Sequence, residues 1–254
     1  MANSSEPPKK KRKLPSLDDS FSGSSRPSDS PSLHQGRKRT QPHVAGQWAA
    51  HIYLDLELEP TLRRTIKQAL RSIEASASCT EELHLLVGSD AISSEAHQDT
   101  ESSLHISLSR PLYLQTNQRA QLRASVAKVA ASFKGFLARY ATFGMLENDE
   151  KSRRFLAIEI GQGYEELQGI VRKLNVELEA MRLPPYYDTP RFHTSIAWTS
   201  VSSEDDAKSL PFQPSHLSEL DKDYGKRLRQ DELWVGELVL KIGKDVTKFQ
   251  LSGR

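Results

Sequence analysis

Two short stretches of the sequence place a serine two residues after a histidine: His105 with Ser107, and His193 with Ser195. Apolar residues flank each pair, so both stretches follow the pattern apolar–His–x–Ser–apolar. Such alternation is typical of a β-strand, in which residues i and i+2 point to the same face. Each strand is therefore expected to present an imidazole and a hydroxyl together, and neighbouring strands would bring both pairs to one cleft.

Two imidazoles and two hydroxyls are suited to cleaving a phosphodiester that has a neighbouring 2′-hydroxyl. One imidazole removes the proton of that hydroxyl, and the other gives a proton to the departing oxygen. An unperturbed pKa of about 6.5 allows either role near neutral pH. The serine hydroxyls can donate hydrogen bonds to the nonbridging phosphate oxygens, where charge develops. This chemistry requires no metal ion and no cofactor.

Other interpretations of the same residues stay open at this point. A single His-x-Ser pair is weak evidence, because many strand histidines are only half-buried polar residues. A metal site on the two histidines is an alternative, but carboxylates are scarce beside both motifs and no third ligand is evident. Hydrolysis by a serine nucleophile is another, but no Gly-x-Ser-x-Gly motif is present.

The elements that must position these residues are a mixture of strands and helices. Alternating or short apolar segments predict strands at 48–58, 82–87, 104–109, 136–145, 154–160, 192–198, 231–242 and 246–251. Helical spacing predicts helices at 60–77 and 164–181, and one that follows an N-cap at Thr116 or Asn117. The polar segment 200–226 predicts a surface loop. Because strands and helices do not alternate regularly, we expect an α+β domain with antiparallel sheet and outer helices.

The chain is predicted to divide near residue 42 into a basic tail and a slightly acidic body. Residues 1–42 hold ten serines, six of the 13 prolines, and nine basic against four acidic side chains. A segment this polar cannot bury enough surface to offset the entropy of ordering, so we predict that it is disordered. Residues 43–254 carry 26 basic and 29 acidic groups and are predicted to form the folded domain.

A run of five consecutive cations in the tail predicts a nuclear import signal, a nuclear location and an import receptor as partner. The run consists of Lys9, Lys10, Lys11, Arg12 and Lys13. A second cluster at 37–39 is basic as well, and its role is left open between half of a bipartite signal and a contact to RNA.

Length and composition exclude several classes of protein. The 254 residues contain no apolar run of about 18, so no membrane-spanning helix is expected. Cys79 is the only cysteine, which excludes an internal disulfide and a cysteine-rich zinc site and suits a reducing compartment. The low hydrophobic content of 37% comes mostly from the tail, and the mean hydropathy of the whole chain is −0.58.

The paired motifs resemble the two-histidine (2H) phosphoesterase superfamily, whose signature is two His-x-Thr/Ser motifs on a two-lobed, pseudosymmetric fold. A closer resemblance, from about His43 to the C-terminus, is to the nuclear phosphodiesterases that process the 3′ end of U6 small nuclear RNA. It is carried by segments 43–53, 148–156, 187–198 and 239–244. The tail lies outside it. The fold implied is antiparallel sheets that line a central cleft, with helices outside.

This resemblance implies a metal-independent 3′→5′ exoribonuclease that trims the oligouridine tail of U6 and leaves a 2′,3′-cyclic phosphate, which some members open to a monophosphate. His105 and His193 match the catalytic histidines, and Ser107 and Ser195 match the serines that hold the phosphate. Tyr187 matches an aromatic residue that stacks on the terminal base. The implied partner is a single-stranded RNA 3′ end, and we expect a monomer.

Two functional alternatives remain beside this one: an RNA-binding protein on the same scaffold that has lost its chemistry, and a phosphodiesterase of small cyclic nucleotides. The sequence does not assign base and acid to the two histidines, fix the final product, or set the preference for uridine over adenosine. Among neighbouring residues, His51 is interpreted as a structural strand histidine, and Tyr186 is favoured less than Tyr187 for the base contact. Lys151 and Arg154 are interpreted as parts of a solvated hairpin.

Overall fold

The computed structural model of the chain describes Val44 and residues 46–76, 83–87, 104–201 and 212–253. The predicted import signal, the basic cluster at 37–39 and Cys79 lie outside these ranges, and the division at residue 42 stays a prediction. No helix in the described ranges is long and apolar enough to cross a membrane.

Four helices lie in the described part of the chain. They are α1 (Pro60–Ser76), α2 (Gln118–Ala130), α3 (Tyr164–Ala180) and α4 (Pro214–Leu228). The first three follow the predicted helices closely. Asn117 precedes α2 but makes no side-chain capping hydrogen bond. The predicted N-cap position is confirmed at Asn117, and the backbone N–H of Gln115 just before it donates to Gln118 Oε1 at 2.8 Å.

Eleven strands lie in the described ranges. They are β1 (Gln47–Leu56), β2 (His84–Leu85), β3 (Leu104–Ser107), β4 (Leu112–Gln115), β5 (Phe136–Ala138), β6 (Tyr140–Glu147), β7 (Arg153–Ile160), β8 (His193–Ser200), β9 (Leu233–Val235), β10 (Glu237–Ile242) and β11 (Asp245–Gln250). The α+β prediction is confirmed. The strands predicted at 136–145 and 231–242 are each split in two, because β5 and β9 leave the main sheet and pair with each other.

The main sheet places the two histidine strands side by side. Its order is β11-β10-β1-β3-β8-β7-β6, with β2 paired to β8 and β4 paired to β1, and every pairing is antiparallel. On one side of the central β3–β8 pair, β1 flanks β3; on the other, β7 flanks β8. This arrangement agrees with the predicted two-lobed, pseudosymmetric fold.

The core lies on one face of the sheet. In β1 from Ala50 onward and in β3, even-numbered residues are buried, whereas odd-numbered ones are half-buried or exposed. Ile52, Ile106 and Leu240 are examples of the buried set, each with 0% exposure. The alternation leaves the opposite face of the central strands available to a ligand.

The segment predicted as a polar loop at 200–226 contains helix α4, so that part of the prediction is wrong. Pro214 occupies the first turn, where its missing N–H is no loss. Leu220 and Leu228 are buried, and the helix packs on β6 and α1. Arg229 donates a hydrogen bond to the carbonyl of Ala141 at 2.8 Å, which ties the end of the helix to β6.

Candidate active site

The register of the central strand pair brings the two His-x-Ser motifs together. Ile106 of β3 pairs with Thr194 of β8, and both side chains have 0% exposure. In an antiparallel pair, the residues on either side then face each other: His105 lies across from Ser195, and Ser107 lies across from His193. These four side chains share the face opposite the core.

The buried side of this junction is held by a hydrogen bond. Tyr140 Oη–H donates to Thr194 Oγ1 at 2.8 Å, and both side chains are buried. Burial raises the pKa of Tyr140, so its hydroxyl stays protonated and remains a donor. This bond anchors the residue that lies between His193 and Ser195.

His193 is fixed in one orientation by its own chain. Its Nδ1 lies 2.6 Å from the carbonyl oxygen of Arg191, so Nδ1–H is the donor and Nε2 is left for the cleft. Burial lowers the pKa of His193, while this hydrogen bond and the charge of Glu159 act in the opposite direction. A ring with Nε2 free and a pKa below its usual value is suited to exchange a proton with a bound ligand.

His105 lies among aromatic rings at the cleft surface. The ring of Tyr53 meets it edge-on, with centroids 5.5 Å apart, and the ring of His51 does so at the same distance. Although His105 is exposed to solvent, the surrounding protein removes enough water to lower its pKa. His193 lowers this pKa further and Asp55 raises it, so the two histidines of the motifs influence each other electrostatically.

His51, interpreted from the sequence as a structural strand histidine, lies beside the first motif. It lies on β1, and its Nε2 is 3.2 Å from Ser107 Oγ. Burial is the main cause that lowers the pKa of His51 to about 4, with the charges of His105 and Lys241 acting in the same direction. The strand alternation of 48–58 already placed His51 on one face with Tyr53, but only the pairing of β1 with β3 shows which residues it meets.

Tyr187 is held by two charged residues from separate segments. Its hydroxyl donates to Asp149 Oδ1 at 2.8 Å, and the guanidinium of Arg110 lies 4.2 Å from its ring centroid. Arg110 and Asp149 are also 3.6 Å apart as an ion pair. The ring keeps 39% exposure, so a surface remains for stacking.

The neighbouring tyrosine is part of the core rather than the surface. Tyr186 is only 5% exposed, and its backbone N–H donates to Asn175 Oδ1 at 2.8 Å. Its ring stacks against Phe192 with centroids 6.4 Å apart. The preference for Tyr187 over Tyr186 as the base contact therefore agrees with the exposure of the two rings.

An ion pair borders the second motif. Arg191 contacts Glu159, the cross-strand partner of His193, and also donates to the carbonyl of Met145 at 3.4 Å. On the neighbouring hairpin, Arg154 pairs with Glu147 at 2.6 Å; its side chain is only 13% exposed, so it is less solvated than predicted.

The arrangement offers side chains suited to proton transfer and to phosphate contact. Within the described ranges, no three or more histidine, cysteine, aspartate or glutamate residues are grouped so that they could hold a metal ion. Two titratable imidazoles with lowered pKa values, flanked by two hydroxyls, can take one proton and give another on opposite sides of a phosphorus atom. An exposed aromatic ring nearby can hold a base.

Comparison with known proteins gives the family. A family model described as "HVSL: Uncharacterised conserved protein" matches residues 12–250, which is most of the chain. The chain belongs to the HVSL family. The HVSL match includes both histidine strands and the elements that flank them.

Curated relatives of this HVSL chain carry one description. "U6 snRNA phosphodiesterase 1" of Neurospora crassa is 25% identical over 288 residues, which cover 97% of this chain and 77% of the relative. The protein of the same name in Drosophila melanogaster is 27% identical over 223 residues, which cover 86% of this chain and 76% of the relative. The resemblance stated from the sequence motifs is confirmed, but the prediction that the whole tail lies outside it is wrong, because the family match begins at residue 12.

A solved structure shares the fold. Kluyveromyces marxianus Usb1 with uridine monophosphate superposes with a TM-score of 0.57 over 80% of this HVSL chain and 98% of the other, at 17% sequence identity. At that identity the likeness concerns the fold, which is the two-lobed architecture expected from the sequence.

Proposed function

We propose that this protein is a metal-independent 3′→5′ exoribonuclease that trims the oligouridine tail of U6 small nuclear RNA. The observation that carries the proposal is the direct pairing of β3 with β8, which sets His105 beside Ser195 and Ser107 beside His193. Two proton-transfer groups and two hydroxyl donors are what cleavage next to a 2′-hydroxyl requires. The names of the curated relatives support U6 as the substrate.

The reaction follows from these groups. One histidine takes the proton of the penultimate 2′-hydroxyl, whose oxygen then forms a bond to the adjacent phosphorus. The bond from phosphorus to the 5′-oxygen of the last nucleotide breaks, and the other histidine gives that oxygen a proton. Ser107 and Ser195 donate hydrogen bonds to the nonbridging oxygens as charge develops there. The shortened RNA ends in a 2′,3′-cyclic phosphate, and the requirement for a 2′-hydroxyl separates RNA from DNA.

The RNA end is captured by stacking rather than by bulk charge. The base of the last nucleotide lies on the exposed part of the Tyr187 ring, which Arg110 and Tyr186 contact from other sides. Residues 43–254 carry 29 acidic against 26 basic groups, a balance that does not suit tight, salt-dependent binding of long RNA. An enzyme that binds only a few terminal nucleotides does not need such a surface.

The test is shortening of a synthetic oligouridine in the presence of EDTA. We expect loss of single nucleotides from the 3′ end and, after mass analysis, a cyclic phosphate or the monophosphate made by opening it. RNA that is bound but not shortened would instead indicate a binding protein. A preference for cyclic mononucleotides over oligonucleotides would indicate a phosphodiesterase of small nucleotides.

Substitution of the two histidines tests the assignment of roles. His105→Ala and His193→Ala should each abolish shortening while the RNA still binds, because each removes a proton-transfer step and leaves the stacking surface in place. His216→Phe on α4, outside the site, is a control expected to retain activity. Full activity in either alanine variant would contradict the acid–base assignment.

The location of the enzyme is proposed to be nuclear, with an import receptor as partner. Five consecutive cations at 9–13 support this, and a nuclear RNA substrate agrees with it. Residues 1–42 fused to a fluorescent protein should carry it into the nucleus. The same fusion with Lys10, Lys11 and Arg12 replaced by alanine should stay evenly distributed.

A further inference from the structure

His51 connects β1 to both residues of the first His-x-Ser motif. Its Nε2 lies 3.2 Å from Ser107 Oγ, and its ring meets that of His105 edge-on with centroids 5.5 Å apart. The ring also stacks on Tyr53, with centroids 5.2 Å apart and planes 20° from parallel. The cleavage reaction uses two imidazoles, so the position of a third one against both motif residues needs a separate explanation.

The hydrogen bonds of His51 determine which ring nitrogen carries the proton. A hydrogen bond with the backbone of Ser109 raises the pKa of His51, as expected when a ring N–H donates to a carbonyl. Since Nε2 faces Ser107, we assign the proton of the neutral ring to Nδ1. With a pKa of about 4, the ring is neutral at pH 7, so Nε2 carries a lone pair and the hydroxyl of Ser107 donates to it.

The backbone that orients His51 is itself fixed. Ser109 is 2% exposed, and its Oγ accepts a hydrogen bond from the N–H of Ile52 at 3.0 Å. The N–H of Leu108 donates to the carbonyl of Ile52 at 2.9 Å. Because 108–109 is bound to β1 in this way, the backbone beside His51 is held in place before any ligand binds.

We propose that His51 is a positioning residue that holds Ser107 Oγ where it meets the phosphate; this inference rests on the proposed function. Rotation about Cα–Cβ sets the position of a serine oxygen, whereas its hydrogen turns about Cβ–Oγ. In the free enzyme the hydrogen points to His51 Nε2. When a phosphate oxygen arrives, the hydrogen turns to it and the hydrogen bond to Nε2 breaks, with Oγ already in the rotamer that this bond selected. A donor placed in advance avoids the ordering cost at the moment of reaction.

A double-mutant cycle tests this role, because it measures whether two side chains act through each other. His51→Phe keeps a flat ring against Tyr53 and His105 but has no acceptor for Ser107. We expect it to lower kcat/KM on oligouridine about 10-fold and to weaken the binding of uridine monophosphate, measured by titration calorimetry. In a Ser107→Ala background, His51→Phe should cause no further loss in either measurement.

Two amide variants separate the lost acceptor from general damage to the fold. His51→Gln places an amide oxygen close to the position of Nε2 and should restore most of the activity, whereas the shorter His51→Asn should not. Unfolding midpoints of all variants, with His216→Phe as the control for removal of a histidine, report on stability. The Gln and Asn comparison decides the question even if His51→Phe does not fold.

The proposal is wrong if His51→Phe lowers kcat/KM and mononucleotide binding equally in the wild-type and the Ser107→Ala backgrounds. It is also wrong if the His51→Gln variant is no more active than the His51→Asn variant. A wild-type chain that does not shorten RNA would refute the proposed function instead. In that case the double-mutant cycle of His51 and Ser107, measured by the binding of uridine monophosphate, still decides the role of His51. If the wild type binds no mononucleotide, both the proposed function and the role of His51 are wrong.

Discussion

Asp55 of β1 is the direct cross-strand partner of His105 on β3. The second lobe repeats this relationship, since Glu159 of β7 is the partner of His193 on β8. Each carboxylate raises the pKa of the histidine opposite, against the lowering caused by burial. The pseudosymmetric sheet therefore gives each imidazole a carboxylate as its electrostatic partner, and these two carboxylates lie 104 positions apart in the sequence.

Asp55→Asn should reveal which proton-transfer role His105 has. The change removes the negative charge and leaves Lys248, 3.7 Å from Asp55, without this partner, so the pKa of His105 should fall. In the pH profile of kcat/KM, the limb that belongs to His105 should move to lower pH by about half a unit to one unit. Movement of the acidic limb identifies His105 as the base, and movement of the alkaline limb identifies it as the acid.

The matched experiment on the other lobe is Glu159→Gln, which should move the opposite limb to lower pH. This shift should be larger than that of Asp55→Asn, because Arg191 loses its carboxylate partner. The positive charge of Arg191, which itself lowers the pKa of His193, is then no longer balanced. Asp245→Asn removes one negative charge at the β10–β11 turn and should leave both limbs in place. If Asp55→Asn and Glu159→Gln shifted the same limb, the assignment of one role to each histidine would be wrong.

Gly144 on β6 makes room for the ion pair beside His193. A Cβ at this position would meet the Glu159 carboxylate and would lie 3.3 Å from Arg191 Nη2. Gly144→Ala should therefore displace the pair and, through the Arg191 carbonyl, the ring of His193. We expect kcat on oligouridine to fall about 10-fold with little change in KM. A small displacement of the His193 ring slows the proton transfer much more than it weakens the binding of the RNA.

The control for that variant is Gly169→Ala on α3, where alanine is the better helix former and the nearest side chain is the ring of Phe133. Its kcat should match the wild type. An unchanged kcat in Gly144→Ala would mean that the pair tolerates the methyl group and does not position His193.

The sequence predicted those features that depend on local pattern. Alternation placed His105 and Ser107 on one face of a strand, and helical spacing predicted α1 and α3 nearly to their ends. Helix α4 was missed because its few buried apolar residues, such as Leu220 and Leu228, are separated by polar ones that also suit a loop. The place of His51 depends on the register of β1 against β3, a non-local pairing that no local pattern contains.

Tyr187→Ala should weaken capture of the RNA end more than it slows the chemistry. Stacking of a base on an aromatic ring contributes about 1–3 kcal/mol, so we expect KM for oligouridine to rise roughly 10-fold to 100-fold. Tyr187→Phe keeps the ring and loses only the hydrogen bond to Asp149, so its KM should stay close to that of the wild type. A Tyr187→Ala variant with normal KM would show that the terminal base is held elsewhere.

His51 should also make the stability of the fold depend on pH. Its pKa is about 4 in the folded protein against an ordinary value of 6.5, so the unfolded chain binds more protons between these two values. Stability is therefore lost as the pH falls through 6.5 toward 4, with no further loss from this group below 4. Urea unfolding at a series of pH values should show the midpoint falling across this window. His51→Phe should flatten the fall, whatever its effect on the midpoint at pH 7, whereas His216→Phe should not. A slope that is unchanged in His51→Phe would mean that other groups, such as His105 and His193, account for the acid sensitivity.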